Sequence, residues 1–176
     1  MQTFLAVLLS IHSGEDKAPV FKSPISITQP VQQYDPYFLQ PADAENILGQ
    51  KVDLKEYSKR DKSKTVTFKC AYAATTIDST TGKQANLFYM LIQHATVEAA
   101  EKSHTSEYNS NKRLPGMRKV AGLGDEAFEQ TDRENFYFFE VRKQHTIIRI
   151  KINKLTSKTN IAALEGVVRK LLANAN

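Results

Sequence analysis

Residues 146–154 alternate with a period of two. Ile148, Ile150 and Ile152 fall on one side, and Arg149, Lys151 and Asn153 on the other. Successive side chains of a strand point to opposite faces, so this pattern specifies a strand with one buried face. Thr65–Ala73 repeats it, with Val66, Phe68, Cys70 and Tyr72 set against Thr65, Thr67, Lys69 and Ala71. Leu87–Ile92 is apolar at every position, which predicts a strand covered on both sides. Ala127–Glu129 and Phe136–Val141 flank Thr131-Asp132-Arg133-Glu134-Asn135 and read as a hairpin. A second turn near Lys143 and Gln144 joins the last two strands, with His145 in the turn.

Helical periods lie between these segments. Asp43–Leu48 reads as a short helix capped by Asp43 and ended by Gly49. Thr96 caps a helix to about Tyr108, with Val97, Ala100, His104 and Tyr108 down one face. Thr159 caps a closing helix whose face is Ile161, Leu164, Val168 and Leu171. Lys51–Lys64 is polar, with Leu54 and Tyr57 as anchors and no assigned element. Closely spaced strands separated by turn signals imply an antiparallel sheet. The doubly apolar strands imply helices packed on both of its faces, an α+β fold.

The chain has 176 residues, 41% of them apolar and 24% charged. That is ordinary globular composition and excludes a disordered chain. No apolar run approaches the ~20 residues of a membrane-spanning helix. The single cysteine, Cys70, excludes an intrachain disulfide; on the apolar side of its strand it reads as inert packing.

The N-terminal third has a different character. Phe4–Ile11 is a short apolar stretch that resembles the core of a secretory signal. Pro19, Pro24, Pro30, Pro36 and Pro41 then recur every five or six residues, which prevents a helix and favours an extended spacer; the alternative is an extended arm packed along the domain, for which Phe21, Ile25, Ile27, Tyr34, Tyr37 and Phe38 are apolar enough. The expected organisation is a signal-like segment over 1–18, a proline-punctuated linker over 19–40 and one α+β domain over 41–176. Membrane association is expected only through the N-terminus.

No catalytic constellation stands out. Gly122-Leu123-Gly124-Asp125-Glu126-Ala127 matches G-x-G-x-x-A, but a polar hairpin signal follows where a nucleotide-binding helix should open, so the glycines serve the backbone. Asp125 and Glu126 would face opposite ways on a strand, a poor acid/base pair, although one of them can cap local amides. His12, His94, His104 and His145 have no metal-ligand spacing. Glu101, His104 and Glu107 share a helix face, a spacing common by chance. No G-x-S-x-G elbow or P-loop occurs. The chain is therefore expected to be no enzyme, with no metal and no cofactor.

The net charge is +5, and it is concentrated. Between Asn135 and Asn176 eight basic residues meet only Glu140 and Glu165, a local +6. Arg142, Lys143, Arg149 and Lys151 can converge on one surface across the last hairpin, a candidate site for an anion. The competing reading is a charged sheet edge that resists aggregation. Phe136-Tyr137-Phe138-Phe139 beside it reads as core.

Several stretches together resemble a known group. Ala44-Glu45-Asn46-Ile47-Leu48-Gly49, Cys70-Ala71-Tyr72, Gly122-Leu123-Gly124-Asp125-Glu126-Ala127-Phe128, Asn135-Phe136-Tyr137-Phe138, Val141-Arg142-Lys143 and Lys151-Ile152-Asn153-Lys154 resemble uncharacterised exported proteins of Bacteroidetes. The set also looks like domains of actinobacterial lipoproteins of unknown function. The resemblance covers roughly residues 41–173. It implies a PsbP-like α/β/α sandwich and an extracytoplasmic compartment (periplasm, cell envelope or medium), and no catalytic residues. The expectation is a non-catalytic binding or interaction module whose partner is an anionic ligand or an envelope protein. The alternative is an anion or nucleic-acid binder using the basic C-terminal surface; of these partners nucleic acid is the less favoured.

Overall fold

A computed structural model of the protein describes residues 35–62 and 64–174. The signal-like segment and the linker as far as Tyr34 lie outside the described residues. The described elements run α1 (Pro41–Leu48), β1 (Val52–Lys62), β2 (Thr65–Ala74), β3 (Asn86–His94), α2 (Val97–Asn111), β4 (Met117–Val120), β5 (Glu126–Thr131), β6 (Phe136–Lys143), β7 (Thr146–Asn153) and α3 (Ile161–Asn174). All strand pairs are antiparallel, in the order β1-β2-β3-β7-β6-β5-β4. The fold is α+β, a seven-stranded antiparallel sheet with three helices.

Side-chain alternation sorts the interior into two clusters. Phe68, Cys70 and Tyr72 of β2, Tyr137, Phe139 and Val141 of β6, and Ile148, Ile150 and Ile152 of β7 pack with Ile47 and Leu48 of α1 and with Leu164, Val168 and Leu171 of α3. Residues of the other parity form a smaller cluster, in which Ile92 and Ile147 meet Ala100 of α2. Large apolar side chains with no exposure, such as Phe139 and Ile148, each contribute roughly 1.5–3 kcal/mol of burial.

The helix boundaries move slightly from those read in the sequence. Pro41 opens α1, where its missing N–H costs nothing, and the N-cap is Gln40. Asp43 therefore sits in the first turn, where its carboxylate takes Lys170 of α3 at 2.9 Å. Thr96 caps α2 as expected, its Oγ1 accepting from the Ala99 amide at 3.2 Å. α3 is capped by Asn160, whose Oδ1 accepts from the Ala163 amide; Thr159 instead accepts the Thr156 amide.

Two further corrections concern residues 35–40 and β3. Residues 35–40, counted in the linker, belong to the core. Phe38 and Leu39 are buried, Phe38 stacks on Tyr57 with centroids 3.9 Å apart, and Tyr72 donates its hydroxyl to the Leu39 carbonyl at 2.7 Å. Cys70 points its thiol at the same carbonyl, and burial pushes that thiol up to about 12, as for a packing cysteine. β3 is also not covered on both sides throughout. Phe88 remains 44% exposed, because the single helix α2 lies over the other end of the strand, at Ile92.

Asp78 ties the turn before β3 to the turn before α3. Its buried carboxylate accepts from the Thr81 amide and hydroxyl and from the Ser157 amide and hydroxyl. Those bonds, the Thr81 hydroxyl first, pull its pKa down to about 2. A depressed carboxylate stabilises the fold above its unfolded value of about 4, and that contribution is lost as pH falls toward 2. Asp78→Asn is expected to lower the urea midpoint at pH 7 and to match the parent protein near pH 2. A difference independent of pH would refute this.

Candidate functional site: two surfaces joined by a buried ion-pair network

The register of the central strands lays residues of the α2 side in rows across the sheet. One row runs Arg60, Thr67, Ile92, Ile147, Arg142, Glu126. The next runs Ser58, Lys69, Met90, Arg149, Glu140, Phe128, Lys119. The third runs Glu56, Ala71, Phe88, Lys151, Phe138, Gln130, Met117. α2 packs on the β3, β7 and β6 part of the sheet and leaves Phe88 and Lys151 of the third row exposed.

Three of the four candidate anion ligands, Arg142, Arg149 and Lys151, thus come to one side of the sheet, and Lys143 has the opposite parity. Their environments differ sharply. Arg142 is buried at 5% exposure and surrounded by carboxylates: Asp125 at 2.9 Å, Glu126 at 3.2 Å and Glu101 at 3.7 Å. Arg149 donates from Nε to the fully buried Glu140 and reaches Glu107 at 3.3 Å. Both guanidiniums are neutralised within the fold, because a buried cation is stable only with a matched partner. Lys151 stands exposed in the open row. The charged-edge reading also fails for this hairpin, since β6 and β7 are interior strands; the charged edge is β1.

Sequence reasoning missed Glu140. It sits on β6 among aromatics with no exposure, and one carboxylate serves two donors: Arg149 Nε on Oε2, and His104 on Oε1, with Nδ1 at 2.8 Å. The signal that could have found it is a lone acid in the run Phe136–Val141, because a buried carboxylate needs a cation on a neighbouring strand. The helix-face trio of Glu101, His104 and Glu107 is present on α2, but its members go to Arg142, Glu140 and Arg149 respectively. Among the described residues no cluster is able to hold a metal.

Asp125 and Glu126 also depart from expectation. Asp125 precedes β5, so strand alternation does not separate the two, and both carboxylates reach Arg142. Asp125 Oδ2 in addition caps the Gln144 amide at 2.6 Å, in the β6–β7 turn where Gln144 has φ +50°. Gly124, at φ +62°, makes this approach possible. A Cβ there would lie 2.4 Å from the Arg142 carbonyl oxygen. The glycines of the G-x-G-x-x-A match are backbone devices.

Two hollows flank the network. A half-open groove of about 220 Å³ lies on the bare row, with Phe88, Met90 and Phe138 as an apolar floor and Lys69, Arg149, Lys151 and Glu56 around it. A cleft of about 540 Å³ lies between α2 and β4–β5, and His104, Tyr108, Asp125, Glu126 and Phe128 are among its walls. No protein-family model matches the chain, and a search of curated proteins finds none similar to it.

Proposed function

We propose that the protein is a non-catalytic, extracytoplasmic binding module whose ligand is an anion with an apolar part, seated in the groove of the bare sheet row. One observation carries the reading: Phe88 is left 44% exposed on an apolar floor, in a groove that Lys69 and Lys151 also line. Opposite-strand neighbours place Lys151 beside both Phe88 and Phe138, so cation and apolar floor are contiguous. An anionic head would meet the lysines and its apolar part would cover the aromatic floor. Arg142 leaves the proposed ligand set, and Arg149 contributes as a wall.

The apolar Phe4–Ile11 stretch and the proline series favour an exported protein. A layered arrangement, with α1 and α3 on one face and α2 on the other, is the PsbP-like part of this proposal, together with kinship to the exported Bacteroidetes and actinobacterial groups.

The test uses dodecyl phosphate, inorganic phosphate and dodecanol as probes in titration calorimetry. Dodecyl phosphate is expected to bind more tightly than either part alone. Lys69→Glu combined with Lys151→Glu is expected to weaken it by more than about tenfold, since each tenfold step is only 1.4 kcal/mol. Unchanged affinity in the double variant sinks the reading. Tight, steeply salt-dependent binding of single-stranded DNA would favour the nucleic-acid alternative instead.

A further inference from the structure

The buried network has a second end, which the groove does not use. His104 is 5% exposed, and its Nδ1 is held by Glu140 Oε1. Among the described residues its Nε2 makes no hydrogen bond, and it is not one of the buried atoms sealed without a partner. The two nitrogens of an imidazole point away from one another, so the Glu140 bond turns Nε2 away from the sheet and toward the cleft that His104 lines.

The chemistry of the cleft follows from its neighbours. Glu140 already receives Arg149, so its charge is matched. A carboxylate only accepts, so Nδ1 is its donor, and in the Nδ1–H tautomer the Nε2 position is open to accept. Asp125 and Glu126 each commit one oxygen to Arg142, which leaves Asp125 Oδ1 and Glu126 Oε1 as further acceptors. Arg142 and Lys119 together offset the two charges of Asp125 and Glu126, so these carboxylates offer acceptors rather than strong net charge. The remaining wall is aromatic: the Tyr108 and Phe128 rings, tilted by 59°, have centroids 5.6 Å apart, and the buried Phe128 ring is 5.2 Å from that of His104. Lys119 lies over the Tyr108 ring at 5.1 Å and opposes a cationic guest.

We propose that this cleft is a second binding site, for a small neutral ring that carries hydroxyl groups. A hydroxyl donates to His104 Nε2 and the apolar face of the ring lies against Tyr108, the accessible ring of that wall. A volume of about 540 Å³ is within the usual range for small-molecule sites. Sugar rings and phenols share this chemistry: hydroxyl donors on a frame with an apolar face. The site is separate from the sheet groove, with which it shares no lining residue.

Long-range proton–nitrogen NMR of the histidine side chains in the full chain tests it, with methyl β-glucoside, phenol and cyclohexylamine as probes. The free protein is expected to show His104 as an Nδ1–H tautomer with a bare Nε2. That Nε2 resonance should then move saturably with at least one hydroxyl probe. A response to the glucoside alone assigns a sugar-type ligand, and a response to phenol alone an aromatic alcohol. Tyr108→Ala, at a half-buried position that leaves the His104–Glu140 bond in place, is expected to weaken the response at least tenfold. Lys69→Glu with Lys151→Glu is expected to leave it unchanged, which separates this site from the groove. A protonated Nε2 in the free protein, silence toward both hydroxyl probes, or a response to cyclohexylamine alone would overturn the proposal.

Discussion

Glu140→Ala is expected to destabilise the protein by about 3 kcal/mol or more, because removing one member of a buried charge network strands the others. Glu140 has no exposure, and its two oxygens hold Arg149 and His104. Without it, Arg149 keeps Glu107 at 3.3 Å, at the rim of α2, so the guanidinium is not left wholly unpaired. His104 loses its one hydrogen-bond partner among the described residues, between Phe128 and the sheet. Glu140→Gln keeps the volume and one acceptor and is expected to lose less. Urea denaturation followed by circular dichroism reads both. A loss below about 1 kcal/mol for the alanine variant would mean that the network contributes little beyond a surface pair.

Leu39→Ala is expected to cost about 3 kcal/mol, the middle of the range for emptying a closed leucine site. Leu39 has no exposure and lies in the main cluster, while its carbonyl, which the substitution keeps, takes the Tyr72 hydroxyl. The loss is therefore that of the side chain alone. A chain begun at Pro41 would lose in addition the Phe38 ring, which stacks on Tyr57 and meets Phe68 edge-on at 5.3 Å. Thermal unfolding of the variant checks the figure. An unchanged midpoint would restore the reading of residues 35–40 as spacer.

The elements legible in the sequence are those whose burial repeats with a clear period. β2, β7 and α3 each present apolar residues on one side, and the structure places them within a residue or two of expectation. β1 was illegible because it is an edge strand. Ten of its eleven residues are exposed, so polar side chains occupy both faces and no period of two survives. β4 has only four residues, none of them buried. Residues 35–40 were masked by their prolines: Pro36 excludes a helix, and nothing local shows that Phe38 and Leu39 dock on β2. The ion-pair network was only half visible. The arginines stood out as an excess of charge, but the acids that neutralise them are distant in sequence. Asp125 and Glu126 come from the opposite side of the β5–β6 hairpin, and Glu101 and Glu107 from α2. Net charge along a chain does not reveal which cations the fold has already matched.

Glu140 is shared between the two hollows. Arg149, a wall of the groove, and His104, a wall of the cleft, take opposite oxygens of the same carboxylate. A guest that draws the guanidinium toward the groove loosens its hold on Oε2 and shifts the carboxylate that positions the imidazole facing the cleft. Thermodynamic reciprocity then requires a guest in the cleft to change affinity in the groove by the same factor. Heterotropic coupling over the width of one helix would need no moving domain, only the redistribution of a single carboxylate between two donors.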